Sequence, residues 1–354
     1  MLRVRASHPT GSIPLISNNS TYSIATHRSV MLHPSALFLI IVAISAAAAH
    51  GHAANGTPAA RFWEEVLPGT PMPEALAELV QKGIDHSPLV ENFTGPYLSI
   101  GMCLGHVYVS VCSVERVKKA GTGLFFHEDQ VRVGTTMTVS FSPAAVPAIL
   151  PHAAAANVPF GNLTAADVAA MFHIAPGSTM ISQVGDTLRA CQPAAPSHSH
   201  AGDERHACAT SLEDIVRAAL RTLGTAAGGG VWVVASETPR GGLPLQPYAV
   251  DKVTPLDGDR HVACHDEPYP YAVFRCHKIG LSMTRAYLIS LRGLHGGPKV
   301  AMAVICHLDT SGWNPAYPAF EMMGTKPGES SVCHFMPYAN LLFGVKATGA
   351  MESF

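Results

Sequence analysis

Four Cys-His dipeptides stand in a row in the last quarter of the chain: Cys264-His265, Cys276-His277, Cys306-His307 and Cys333-His334, separated by 10, 28 and 25 residues. Every cysteine after Cys208 is followed at once by histidine. With 19 His in 354 residues, a given Cys would be followed by His about 5% of the time. Four such pairs among 8 Cys therefore need a chemical cause. Thiolate and imidazole are both metal ligands, and a Cys-His cluster first suggests structural zinc. The spacing argues against it, because no C-x₂₋₄-C knuckle is present.

The alternative is that the four Cys form two disulfides, for which three connectivities are open. The ligand set is then imidazole alone: His265, His277, His307 and His334. Such a set suits copper, zinc or nickel, and affinity favours Cu(II). The plainer reading is four ordinary core or surface histidines beside two disulfides. Asp266, Glu267 and Asp309 lie at or near the pairs. They either orient a ligating His or occupy exposed turns. No G-x-S-x-G, H-E-x-x-H or phosphate-loop motif is present.

Three of the pairs end or enter apolar runs, "RHVACH", "YAVFRCH" and "KVAMAVICH". Their Val, Ile, Phe and Tyr favour strands. Neighbouring side chains on a strand point to opposite faces, so a Cys facing one layer sends its His to the other. "GVWVVA", "LQPYAV" and "RAYLISLRG" read as further strands, and "LFFHEDQVRVGTTMTVSF" as two strand pieces around a turn at Gly134. Helices are expected from Pro73 to about Val80, from Ala165 to Phe172 after a Thr164 cap, and from 212 to 223 between a Ser211 cap and Gly224. The fold class that follows is α+β and β-rich, a single disulfide-stapled domain with a few short helices.

Before Leu124 the chain changes character. Residues 1–30 carry Arg3, Arg5 and Arg28 and no acid; Leu37 to Ile44 is apolar, with small residues from Ser45 to Ala49. This pattern is that of a secretory signal within residues 1–53, with Met31 as a candidate working start and an uncleaved anchor as the alternative. The apolar run is short for a membrane span. Export would favour disulfides and make Asn55, Asn92 and Asn162 candidate glycan sites. Residues 54–123 read as an N-terminal arm and a variable spacer, in which Cys103 and Cys112 could pair with each other. Cys191 and Cys208 bound a loop rich in Pro, Ser and His. A bridge there would close about 16 residues and stabilise by about 3 kcal/mol. His198, His200 and His206 in that loop are metal candidates, against the plainer reading of a solvated loop. The domain runs from 124 to 346, and 347–354 form a tail. The composition is 47% hydrophobic and 14% charged, with net charge -2, which suits a large core and gives no basic field for nucleic acid.

The row of Cys-His pairs resembles the C-terminal signature of the plant BURP-domain family. "LFFHEDQVRVGTTMTVSF", "ACQPAAP", "ACATSLEDIV" and "PYPYAVFRCH" are similar to further elements of that family, and "FWEEVLPGTPMPEAL" to a segment many members carry after the signal. The resemblance implies a secreted protein of the cell wall, apoplast or vacuole, linked to plant development or stress. In some members the four His bind copper, the Cys are disulfide staples, and the protein cyclises a peptide through its aromatic side chains. No repeated Trp- or Tyr-bearing core peptide precedes Leu124. The implied substrate is then a separate peptide; the other implied partners are cell-wall polysaccharide or protein, in a non-catalytic structural role.

Overall fold

Strand alternation sorts the chain into two antiparallel sheets, seen in a computed structural model. It describes residues 56–85, 113–144, 146–158, 160, 162–191, 206–225, 229–258, 260–279 and 284–346. The signal, Met31, Asn55, Asn92, Cys103, Cys112, His198, His200 and the tail lie outside the described residues.

The first sheet has seven strands: β1 (Gly121–Thr122), β2 (Phe125–Phe126), β3 (Thr136–Phe141), β6 (Leu243–Leu256), β9 (Thr284–Gly293), β10 (Lys299–His307) and β11 (Val332–Phe335). Their order is β1-β3-β6-β9-β10-β11-β2. The second has five, β4 (His206–Ala209), β5 (Val231–Ala235), β7 (His261–Glu267), β8 (Val273–Lys278) and β12 (Leu341–Val345), in the order β4-β8-β7-β12-β5. The pieces flanking Gly134 do not pair with each other. β2 joins β11 at one edge, while β3 lies between β1 and β6.

A core layer joins the two sheets. Ala263 and Leu342 from the five-stranded sheet cluster with Ala286, Ala303 and Ile305 from the seven-stranded one. Ser236 ties them further: its Oγ accepts from Ala303 N–H (3.0 Å) and donates to the Met336 carbonyl. The other face of each sheet is covered by helices. Helix α7 (Leu212–Leu223) packs on the five-stranded sheet. Its buried Leu212, Ile215, Val216, Ala219, Leu220 and Leu223 form one stripe at helical spacing. Ser211 Oγ accepts from Asp214 N–H (3.2 Å), and Gly224 at φ 74° ends the helix. Over the seven-stranded sheet lie α3 (Val114–Ala120) and α8 (Pro318–Met323).

Three more helices precede α7: α4 (His152–Ala155), α5 (Ala165–Met171), with its Thr164–Asp167 capping box, and α6 (Thr179–Cys191). The Cys191–Cys208 disulfide anchors the end of α6 to β4.

The arm docks on the domain. Its helices are α1 (Pro58–Val66) and α2 (Glu74–Asp85), the latter longer than the stretch from Pro73 to Val80. Trp63, Leu67, Leu76 and Leu79 are buried in the same core as α7. Each such side chain contributes about 1.5–3 kcal/mol by leaving water. Trp63 Nε1–H donates to the Thr70 carbonyl (2.7 Å), and Thr70 Oγ1–H donates to that of Val231 (2.9 Å). The spacer also joins the core at its end. Val117 is fully buried, and β1 pairs with β3, so residues 114–122 of the spacer pack with the seven-stranded sheet.

Candidate metal centre

The ladder sets the disulfides. Cys264 lies directly opposite Cys276 across β7 and β8, and Cys306 opposite Cys333 across β10 and β11. Both pairs are bridged, each with Cα–Cα 3.9 Å. Of the three connectivities, the structure has 264–276 and 306–333. The cystines join the helix-covered cores, Cys264 and Cys276 beneath α7, and Cys306 and Cys333 on the opposite side of the molecule.

Alternation then turns each His inward. His265 stacks with His277 at 5.4 Å between ring centroids, and His307 stacks with His334 at 5.7 Å. His265 and His334 meet at 6.4 Å across the two sheets. The row is His277–His265–His334–His307, and every member is 1–2% exposed. All four sequence-derived candidates are thus together. Among the described residues, no three His, Cys, Asp or Glu side chains already form a closed metal-holding group. The rings stand as neighbours in a row.

Hydrogen bonds fix which nitrogen carries the proton in three of the four rings. His265 Nδ1 lies 2.8 Å from Asn340 Oδ1, His334 Nδ1 3.2 Å from the Phe335 carbonyl, and His277 Nδ1 3.2 Å from the Lys278 carbonyl. These oxygens only accept, so Nδ1 carries the proton and the neutral ring keeps its lone pair on Nε2. That is the tautomer a metal-ligating Nε2 requires. Burial also keeps rings neutral. It pulls His334 down to about 4, reinforced by His277 and opposed by the Phe335 carbonyl. Burial first, and then His277, His334 and Arg275, push His265 well below its usual value.

The surroundings are polar on one side and aromatic on the other. Arg275, opposite His265 in register, forms a buried ion pair with Glu267 at 2.9 Å. Trp313 lies edge-on to His307 at 4.8 Å, with Tyr317 beyond it at 5.1 Å. Phe125 packs against His334 at 6.1 Å. The three acids near the pairs divide. Glu267 holds Arg275, Asp266 reaches the site through Asn340, and Asp309 is a turn residue bonded to Ser311 N–H (2.9 Å). Of the loop histidines, His206 lies on β4 opposite His277 in register. Asn162 is exposed.

Two neighbours went unread in the sequence. Asn340 is a single amide 75 residues from His265, brought to it by the pairing of β12 with β7. His261, bonded through Nδ1 to Thr284 Oγ1 at 2.8 Å, shares a face with His265 four residues along β7, and that spacing was the available signal.

The site offers four buried imidazoles, three of them with Nδ1 bonded to an acceptor, though they are not drawn together as a metal-holding group. Among the described residues no helix is long and apolar enough to cross a membrane. Comparison with known proteins agrees with the signature. The chain is 44% identical to Protein RAFTIN 1A of Triticum aestivum over 229 residues, 64% of this chain and 56% of that protein. It is 36% identical to Protein RAFTIN 1B of the same species over 352 residues, 86% of this chain and 94% of that protein. It is 35% identical to BURP domain protein RD22 of Arabidopsis thaliana over 226 residues, 62% of this chain and 55% of that protein. The chain thus spans little more than half the length of some relatives and nearly all of another. Residues 124–345, which hold every strand but β1 and all four Cys-His pairs, match the BURP domain, and the chain belongs to that family.

Proposed function

We propose that this is a secreted BURP-domain protein of the plant cell wall or apoplast, with a vacuolar destination as the variant, acting in development or stress. Its four paired histidines hold copper. The observation that carries the copper reading is the buried row of four imidazoles drawn from two sheets, three of them bonded through Nδ1 to an acceptor. Cysteine is consumed in disulfides, so the donors are nitrogen only, a set that favours Cu(II). Copper there would supply one-electron oxidation. The chain's own contribution is to shield all four rings from water, to orient His265, His277 and His334 through Nδ1, and to keep His265 and His334 neutral by burial.

A catalytic reading goes with this: oxidative cyclisation of a separate peptide. The partly exposed Trp313, edge-on to His307 and backed by the buried Tyr317, favours it, as an aromatic ring beside the row that a substrate's aromatic side chain could meet. The rival is a stapled structural protein that binds wall polysaccharide or protein without turnover, favoured by the three disulfides. Copper content separates them. Protein made through a secretory pathway is loaded with Cu(II), dialysed and analysed for metal, beside His307→Ala and the exposed control His295→Ala. Copper is expected to fall in the first variant and hold in the second. A wild-type protein that retains no copper leaves the structural reading.

A further inference from the structure

We infer that Asn340 is a positioning residue for the metal-facing edge of His265 and that Asp266 holds it in place. The inference rests on the copper reading above and adds an element to it: a carboxylate–amide–imidazole relay.

Asn340 Oδ1 accepts from His265 Nδ1–H at 2.8 Å. Its amide nitrogen donates to Asp266 Oδ1 and to the Tyr338 carbonyl at 3.2 Å. Turning the amide over would set oxygen against oxygen at both contacts and nitrogen against the ring N–H, so the partners fix its orientation. Asn340 is fully buried, His265 is 1% exposed and Asp266 6%. Water cannot easily replace a lost partner there, and the low local dielectric strengthens each bond.

The backbone delivers Asn340 to this place at a cost. Leu341 pairs with Cys264, so Asn340 comes one step earlier, level with His265. It follows a tight turn in which its N–H donates to the Pro337 carbonyl at 3.1 Å. Within that turn, Ala339 is buried at φ 63°, a left-handed conformation that residues with a Cβ rarely adopt. Strain of this kind persists where the surroundings demand one geometry.

His265 is the five-stranded sheet's half of the contact that joins the sheets, touching His277 on one side and His334 on the other. Its orientation therefore governs whether the two stacked pairs face one ion. Metal-ligating histidines commonly hand their second N–H to a carboxylate or carbonyl, which fixes the ring and makes it more basic; losing that partner typically weakens metal binding 10–100-fold. Here an amide stands between ring and carboxylate and passes on the polarisation of Asp266.

The test uses the full secreted protein with Asn340→Ala, Asp266→Ala and Asp266→Asn. Three measurements are made: Cu(II) affinity by chelator competition, the Cu(II) EPR spectrum, and the His265 tautomer by ¹⁵N NMR on metal-free protein. Wild-type His265 is expected as the Nδ1–H tautomer. Asn340→Ala should lose that preference, weaken copper about 10–100-fold and alter the EPR spectrum. Asp266→Ala should weaken copper in the same direction. Asp266→Asn keeps the side chain's shape and an acceptor oxygen for the amide but removes the charge that the relay passes on, so its affinity is expected to fall between those of wild type and Asp266→Ala, with the Nδ1–H tautomer kept. Copper binding unchanged in Asn340→Ala, in a wild type that does bind, overturns the relay and leaves the copper reading standing. A wild type that binds no copper overturns the copper reading, and the tautomer measurement still judges the relay. A His265 protonated on Nε2 in wild type overturns the relay outright, including where Asn340→Ala fails to fold.

Discussion

Acid should unfold the metal-free protein through its buried histidines. The perturbation is a fall in pH from 7 to 4. His334 titrates near 6.5 when unfolded and near 4 in the native state, where burial disfavours its charged form. Between those values the unfolded chain binds a proton that the native protein does not, so stability falls as pH falls. It is fully present above about 6.5 and gone below about 4. The gap, at 1.36 kcal/mol per pH unit, amounts to about 3 kcal/mol. His265, also pushed down by burial, adds to the loss in the same direction. Asp167 and Asp309 do not confuse the window. Hydrogen bonds from Thr164 and Ser311 hold them below the usual carboxylate range, so their contributions are lost at still lower pH. The assay is urea denaturation of metal-free protein in half-unit steps of pH, with His334→Leu alongside. Wild type is expected to lose at least about 3 kcal/mol between pH 6.5 and 4, and the variant to show a shallower slope. A flat profile in wild type would refute the claim that these rings are buried and neutral.

Three further outcomes follow from particular contacts. Arg275→Met leaves Glu267 buried without its cation and should cost about 3–5 kcal/mol, whereas Glu267→Gln with Arg275→Met should recover most of it. Equal losses in the single and double variants, measured by denaturant titration, would show that the pair is not coupled. Gly83→Ala would set a Cβ 1.8 Å from the Ile149 carbonyl oxygen, where α2 meets the domain backbone, and should cost about 1–3 kcal/mol or more. An unchanged melting temperature there would mean the arm does not dock as described. Replacing Cys306 and Cys333 together by Ala opens a bridge with a sequence separation of 27 and should lower stability by about 3.5 kcal/mol relative to oxidised wild type, measured by denaturant titration.

How much of this was legible depended on the range of the interaction. Strand alternation is local, so the split of Cys and His to opposite faces could be read from the dipeptides themselves. The caps at Thr164 and Ser211 are equally local, and α5 and α7 start where they direct. Pairing partners are not local. Cys264 meets Cys276 because β7 and β8 are adjacent, and Cys306 meets Cys333 because α8 fits within the connection between β10 and β11. Spacing alone allowed other pairings. Helix α6 contains Thr179, Ser182, Gly185 and Thr187, weak helix formers. It is held by packing of Met180, Val184 and Leu188 against Tyr269 and Tyr271, which the sequence separates by about 80 residues. In the spacer, the buried Val117 commits the helix to the core.

The two cross-strand disulfides act within sheets, and the site lies between them. Cys264–Cys276 fixes β7 against β8, and Cys306–Cys333 fixes β10 against β11. Each therefore positions one stacked pair, His265 with His277 and His307 with His334. Neither sets the distance from one pair to the other. That distance is left to the small-residue layer of Ala263, Ala286 and Ala303, to Ser236, and to the turn of residues 336–340. The same turn receives the arm: Tyr338 O–H donates to Glu78, which also pairs with Arg240 at 2.7 Å. Glu78 and Arg240 are about half exposed, so their ion pair adds little to global stability. Its effect is local, at the residues that carry Asn340 to His265. A metal ion shared across the row would tie one sheet to the other, which no disulfide among the described residues does at that place. Its binding free energy would appear as resistance to separating the sheets, since whatever binds only the native arrangement stabilises it. With such an ion bound, the staples and the histidines would divide the work by direction, the cystines along each sheet and the imidazoles across the gap.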